Sequence, residues 1–142
     1  MKRLLILLPL FVACEFPFLQ MESMYPEIDA APTTIKEAWL LSSKVVYESD
    51  PHNVWQFPQT TYARNRGDCE DISMLFAHFL EEMGIDAEII IYRDGARNHA
   101  IVRANNTYYE PSAYGVYRPA SKIGPNILQV ISYEKGLTFC KE

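Results

Sequence analysis

The chain has 142 residues, 49% of them hydrophobic and 13% aromatic, which is enough for one domain with a buried core and is not the composition of a disordered protein. Its formal net charge is −5, and Lys and Arg side chains form no cluster beyond the first residues. Nothing in the charge pattern therefore indicates a nucleic-acid partner.

The first residues have the pattern of an export signal. Lys2 and Arg3 precede an apolar run over residues 4–13, which is too short to cross a bilayer because a spanning helix needs about 20 apolar residues. Cys14 follows Phe-Val-Ala, which resembles the lipobox of bacterial lipoproteins, where the cysteine is lipidated. An ordinary export signal and an uncleaved anchor are the alternatives. We therefore expect a signal over residues 1–13, lipidation of Cys14, and a location in the bacterial cell envelope, lipid-anchored or periplasmic.

Residues 14–32 are interpreted as a tether that joins the anchor to a folded domain over residues 33–142. The tether is rich in Pro, Met and acidic residues and has no sustained period.

The first helix of the domain is predicted to begin at Thr34. Thr34 and Glu37 have the spacing of a capping box, in which Glu37 returns to the cap, and an amphipathic stripe follows. Pro51 is expected to end the helix at Ser49 or Asp50.

A long ordered loop is predicted over residues 55–66, which have no clear period; loops of this length in a compact domain are usually functional. The second helix is predicted to be capped by Asp68 and stopped by Gly84. Apolar residues at helical spacing define its buried face: Ile72, Leu75, Phe76, Phe79, Leu80 and Met83.

Residues that favour β-strands follow the second helix. β-branched and aromatic residues predict strands over residues 85–92, 99–103, 107–110 and 127–133. Asp94-Gly95 and Asn105-Asn106 are predicted to be the turns of two hairpins.

Cys69 is the candidate nucleophile, because it lies in the first turn of the second helix. Unpaired backbone N–H groups there favour a negative charge, so the thiol pKa is expected to fall. Asp68, Glu70 and Asp71 are anionic neighbours that oppose this effect, but the side chains at positions 70 and 71 are expected to point away around the helix. Two alternatives remain: Cys69 is a small buried helix residue, or it forms a disulfide with Cys140, as exported proteins allow.

His99 and Glu110 are the candidate partners of Cys69. The Asn-Asn turn predicts a strand register that puts both side chains on one face of the sheet, within reach of each other. The predicted pairs are Ala104 with Thr107, Val102 with Tyr109 and Ile101 with Glu110. A carboxylate so placed can orient an imidazole and stabilise the imidazolium. The alternatives are a surface histidine and an exposed charge at a strand end.

Together these residues resemble the bacterial transglutaminase-like cysteine proteinases of the papain-like transglutaminase-like superfamily. The resemblance rests on four segments of this sequence: Trp55-Gln56-Phe57-Pro58, Gly67-Asp68-Cys69-Glu70-Asp71, His99-Ala100-Ile101-Val102 and Tyr108-Tyr109-Glu110-Pro111. It implies an α+β fold in which N-terminal helices, one of them carrying the nucleophile, pack on an antiparallel sheet. The third member is more often Asp or Asn in the family, whereas it is Glu110 here.

The resemblance also implies roles for the residues that flank the nucleophile. Trp55 or Gln56 would form an oxyanion hole with the backbone N–H of Cys69; core packing is the alternative for Trp55. No cofactor is required, but some of these proteinases bind calcium near the acidic residues of the motif. The hard oxygen ligands that would allow it here belong to Asp68, Glu70 and Asp71.

The leading hypothesis is acyl transfer through a Cys69 thioester, with His99 as base and then acid. Release by water would make the protein a peptidase or amidase that acts on a protein or peptide; release by an amine would make it a transglutaminase. A catalytically inactive, envelope-tethered binding module is the alternative of another class. A peptidoglycan amidase of the other papain-like branch ranks last, because such enzymes orient the catalytic histidine with a second one and His52 and His78 are poorly placed for that.

Overall fold

A five-stranded antiparallel sheet dominates the structure, a computed structural model that describes residues 26–112, 119–120 and 126–141. Its helices are α1 (Ile35–Ser42), α2 (Pro58–Arg64), α3 (Cys69–Glu82) and α4 (Tyr133–Leu137). Its strands are β1 (Val46–Tyr47), β2 (Arg66–Gly67), β3 (Glu88–Asp94), β4 (Arg97–Ala104), β5 (Thr107–Tyr109), β6 (Pro119–Ala120) and β7 (Ile127–Ser132). The strand order in the large sheet is β6-β5-β4-β3-β7, and β1 and β2 form a separate parallel pair.

The predicted signal, Cys14 and the tether up to residue 25 lie outside the described residues. Among the helices that are described, none combines the length and the apolar character that a membrane span requires.

Helix α3 is the central element of the core and confirms the second predicted helix. Asp68 caps it by accepting hydrogen bonds from the backbone N–H groups of Glu70 and Asp71, while the Asp71 carboxylate accepts from the Asp68 N–H. Gly84, with a φ of 73°, takes the left-handed conformation just beyond the helix end. The apolar face of α3 is fully buried and packs against the sheet, mainly on β4. The fold is thus α+β, with a capped helix on an antiparallel sheet, as predicted.

The hairpin between β4 and β5 has the predicted register. Val102 pairs with Tyr109 and Ala104 with Thr107. Asn105 and Asn106 have φ angles of 49° and 58°, the pair of left-handed conformations that a two-residue hairpin turn needs. The ladder ends at Tyr109, so the predicted pair of Ile101 with Glu110 is not part of it.

Helix α1 is shorter than predicted, and Pro51 does not set its end. Two serines near the end bond back to helical carbonyls, Ser42 to Ala38 and Ser43 to Leu40, which weakens the backbone ladder. The chain then turns extended because β1 pairs with β2, a partner 20 residues away. Thr34 caps α1 as predicted, and the Glu37 carboxylate accepts its shortest hydrogen bonds from the N–H and hydroxyl of Thr33, the residue before the cap.

The prediction of a long loop over residues 55–66 is wrong, because this stretch contains α2. Pro58 starts the helix with a φ suited to the first helical position, and Asn65 ends it with a φ of 51°. Seven residues are fewer than two full turns, too few for a period to emerge from the sequence. The last predicted strand ends at Ser132, which caps the short helix α4 that the sequence pattern did not reveal.

The Asn-Asn turn generates a stability prediction. Asn106→Gly should be neutral or stabilise the fold, because glycine adopts the positive φ without steric cost, whereas Asn106→Ala should destabilise it by about 1 kcal/mol. Urea unfolding of the two variants and the wild type measures the difference. Equal stability of the Gly and Ala variants would contradict the turn geometry.

Candidate active site

Cys69 is the first residue of α3, and its sulfur lies at the junction of that helix with β4. The residue is 7% exposed. Its thiol donates a hydrogen bond to the Glu70 carboxylate at 2.9 Å. The backbone N–H of Ala100, the residue that follows His99, favours the ionised thiol. The sulfur therefore lies next to the strand that carries the predicted base.

The pKa of Cys69 is raised, so the expectation of a lowered thiol pKa is wrong. Burial is the largest cause, and the hydrogen bond to Glu70 and the charge of that carboxylate act in the same direction. These effects outweigh the N–H groups of the helix end. The expectation that Glu70 points away is wrong as well, because its longer side chain folds back onto the preceding sulfur.

His99 and Glu110 are joined by a hydrogen bond between the ring nitrogen Nε2 and the Glu110 carboxylate. His99 lies on β4 opposite Tyr92, whose ring meets the imidazole edge to face at 5.6 Å. The hydrogen bond from His99 holds the pKa of Glu110 below its usual range, against the effect of burial. The structure therefore brings these two predicted residues together, and the ring nitrogen Nδ1 is the one left to face a nucleophile.

The described contacts of Cys69 do not include a hydrogen bond to His99, since its single thiol proton points to Glu70. Burial raises the pKa of Tyr92, the residue opposite His99, to about 12, and the charges of Glu110, Asp94 and Cys69 act in the same direction. A direct Cys69–His99 contact stays a prediction.

Gln56 is held by Asp71 and not directed at the nucleophile. Its backbone N–H and its side-chain N–H donate to the two Asp71 oxygens at 2.7 and 2.6 Å. Arg64 in turn donates to the side-chain oxygen Oε1 of Gln56 at 3.0 Å. These contacts occupy the Gln56 side-chain amide, so the arrangement does not support its predicted role as an oxyanion donor. Gln56 instead holds the segment that follows Trp55 against α3.

Trp55 lies at the wall of a cleft of about 520 Å³ that Glu70 also lines. The indole is 8% exposed and meets the Phe139 ring edge to face at 5.5 Å. Its backbone carbonyl accepts a hydrogen bond from the Lys141 N–H at 2.8 Å. Trp55 is thus packed in the core and also reaches the cleft. This position is compatible with core packing and with a place in the oxyanion hole.

Only part of the predicted calcium ligand set is available in the described arrangement. Ligand atoms of Asp68, Cys69 and Glu70 lie within 4.8 Å of one another. Asp71 is occupied by Gln56 and by the Asp68 N–H, so it is not available as a ligand. Calcium takes six to eight oxygen ligands, so Asp68 and Glu70 would need backbone carbonyls and water to complete the shell, and calcium binding stays a prediction.

The other cysteine and histidines are accounted for elsewhere. Cys69 and Cys140 are both free, so the alternative of a disulfide between them is wrong. His78 bonds to the Tyr133 hydroxyl at 2.9 Å, and the ring that Glu110 orients is His99. Neither His78 nor His52 is a hydrogen-bond partner of His99 in the described contacts, which agrees with the low rank of the two-histidine amidase.

Sequence reasoning missed Tyr92 and the capping role of Asp71. Tyr92 faces His99 across the β3–β4 ladder, because the turn consists of Gly95 and Ala96 and Asp94 pairs with Arg97. The predicted Asp94-Gly95 turn is wrong by one residue and would have placed Arg97 opposite Tyr92. Asp71 holds Gln56 and completes the cap of α3; the Asp-x-x-Asp spacing of residues 68–71 is the capping signal that would have revealed it.

Comparison with solved structures gives the fold an independent basis. Two structures of LapG from Legionella pneumophila, one of the EGTA-treated protein, superpose on this chain with a TM-score of 0.54 and 18% sequence identity. The match covers 66% of this chain and 57% or 58% of the LapG chain, so this chain spans less than two thirds of that protein. No protein-family model and no curated protein matches the sequence.

The chain therefore shares the α+β fold of LapG. The class of fold agrees with the resemblance carried by the Cys69, His99 and Glu110 segments. At this level of identity the likeness establishes the architecture and leaves the reaction to be argued from the residues.

The contact between Glu70 and the thiol generates a prediction about reactivity. Glu70→Gln removes the negative charge that raises the pKa of Cys69, so alkylation of Cys69 by iodoacetamide between pH 6 and 8 should be about threefold faster or more. The rate-versus-pH curve should move to lower pH. Mass spectrometry of the peptide that contains Cys69 measures the rate.

Glu82→Gln is the matched control for this variant, because it removes the same charge at the last residue of α3. It should leave the alkylation rate at the wild-type value. A Glu70→Gln rate equal to that of the control would contradict the role of Glu70.

Proposed function

We propose that the protein is a cysteine-dependent acyl-transfer enzyme, a peptidase or amidase that acts on a protein or peptide amide. The observation that carries the proposal is the His99–Glu110 hydrogen bond on the strand that lies against the first turn of α3. Nucleophilic catalysis by cysteine needs an oriented imidazole within reach of the thiol, and here His99 lies on the strand next to Cys69.

The first chemical step in this proposal is the transfer of the thiol proton from Cys69 to His99. Glu110 accepts from Nε2 and so keeps Nδ1 free to act as the base. The thiol must turn away from Glu70 toward the ring. The thiolate then attacks the amide carbonyl carbon, and the carbonyl electrons move to oxygen to form a tetrahedral intermediate.

The backbone N–H of Cys69 is the proposed main donor to that oxyanion. Asp68 accepts from the N–H groups of Glu70 and Asp71, so the cap leaves the Cys69 N–H unused. The indole N–H of Trp55 is the proposed second donor, in place of the Gln56 side chain.

The intermediate collapses when the carbon–nitrogen bond breaks and His99 gives its proton to the leaving amine. The Cys69 thioester that remains is attacked by water, with His99 again taking the proton, and release of the carboxylic acid restores the thiol. An amine in place of that water would yield the transglutaminase outcome. No cofactor enters these steps.

A catalytically inactive binding module is the second candidate, and the raised pKa of the Cys69 thiol favours it. Burial and Glu70 keep Cys69 protonated, as they would in a fold that has lost catalysis. A module of this kind would present the cleft beside Trp55 to a protein partner without cleaving it.

Alkylation at pH 6 separates the two candidates within one sample of the full chain. Cys140 is an internal control because it is also a free thiol and is 8% exposed, against 7% for Cys69. The enzyme proposal predicts that iodoacetamide labels Cys69 at least about tenfold faster than Cys140, and that His99→Ala abolishes the difference. Equal labelling of the two cysteines in the wild type would support the binding module.

Turnover tests the reaction directly. Cleavage of fluorescent casein should be lost in Cys69→Ala and reduced at least about 100-fold in His99→Ala, which corresponds to about 3 kcal/mol of transition-state stabilisation. Addition of a fluorescent primary amine distinguishes hydrolysis from transamidation. A His99→Ala variant with wild-type turnover would exclude His99 as the base.

The location in the cell envelope rests on the sequence alone. We propose export and lipid anchoring through Cys14, which would place the cleft at the membrane surface. Cys14→Ala should move the protein from the membrane fraction to the soluble fraction of a bacterial expression host. A membrane-bound variant would contradict the anchor.

A further inference from the structure

Trp39 forms a hydrogen bond to the backbone of Glu110. The indole Nε1–H donates a hydrogen bond to the Glu110 carbonyl oxygen at 2.9 Å. Trp39 belongs to α1, 71 residues earlier in the chain, and it is fully buried. The contact therefore joins the first helix of the domain to the residue that orients His99.

Glu110 needs such an anchor because no strand pairing reaches it in the part of the chain that the structure describes. The β4–β5 ladder ends at Tyr109, and the residue after Glu110 is a proline, which has no N–H to donate. The side chain is also one methylene longer than an aspartate and has one more rotatable bond. Its carboxylate reaches a fixed point at His99 only if the backbone is fixed.

We propose that Trp39 is a positioning residue for the reaction, which acts through Glu110 by fixing the carbonyl from which the carboxylate extends toward His99. The indole is held rigidly because α1 packs against α3, with Ala38 and Ser42 buried beside it. Small displacements of a group that orients the base can cost about 100-fold in rate. The inference rests on the proposed catalytic role of His99, but the positioning itself is measurable without any activity.

Trp39→Phe is the variant that tests the contact, because it keeps a buried aromatic ring and removes the N–H. The first readout is the low-field proton resonance of His99 Nε2–H, which reports its hydrogen bond to Glu110. We expect the resonance in the wild type and its loss in both Glu110→Gln and Trp39→Phe. The second readout is turnover: kcat should fall about tenfold or more in Trp39→Phe while KM stays within about twofold.

Phe79→Leu is the matched control for lost packing. Phe79 is a buried aromatic residue of α3 that contacts Tyr62 and His78. This variant should lower the thermal stability as Trp39→Phe does and keep both the resonance and kcat. If Trp39→Phe does not fold, benzothienylalanine at position 39 removes the N–H with almost no change in shape and takes its place.

The outcomes separate this inference from the proposed function. A wild-type protein without turnover in which Trp39→Phe still abolishes the His99 resonance would refute the enzyme and keep the positioning contact. An active protein in which Trp39→Phe leaves the resonance and kcat unchanged would overturn the inference and keep the enzyme. Absence of the resonance in the wild type would overturn the inference as well.

Discussion

The hydrogen bonds that fix the first turn of α3 through Asp71 are the constraint on which the rest of the structure depends. Asp71 is fully buried in that turn, and a buried carboxylate is costly unless hydrogen bonds compensate it. Gln56 and the Asp68 N–H supply three such bonds. Gly67 leaves the required space, because a Cβ there would lie 2.6 Å from the Asp71 Cβ. The position of Cys69 follows from this arrangement.

The second half of the site is built independently of the first. The Asn-Asn turn fixes the register of β4 and β5, which places His99 and the residue after Tyr109 near the same end of the sheet. The site is thus a junction between a capped helix end and a hairpin end. Such a junction is precise only if both parts are anchored. The contacts of Asp71 anchor the helix end, and the Trp39 hydrogen bond anchors the hairpin end.

Much of the architecture follows from short-range patterns in the sequence. Helix α3 has a cap, a long apolar stripe and a terminating glycine, and the hairpin has a two-residue turn with known geometry, so both were predictable. Helix α2 was not, because it is too short to show a period, and the end of α1 depends on the pairing of β1 with a strand 20 residues later. The hydrogen bond between Trp39 and Glu110 joins residues 71 apart and leaves no local signal.

The electrostatics of the nucleophile were the least predictable part of the site. The helix end alone favours a thiolate, but burial and the conformation of Glu70 reverse the balance. Both effects depend on packing that no local pattern encodes. The thiol is bonded to Glu70 in this structure, and catalysis as proposed requires it to turn toward His99.

The distance between the Cys69 Sγ atom and the His99 Nδ1 atom tests the central claim most directly. A crystal structure of the protein should show these atoms within about 4 Å of each other, or brought to that distance when a peptide aldehyde is bound at Cys69. A sulfur that stays on Glu70 with the imidazole out of reach in both structures would contradict the account.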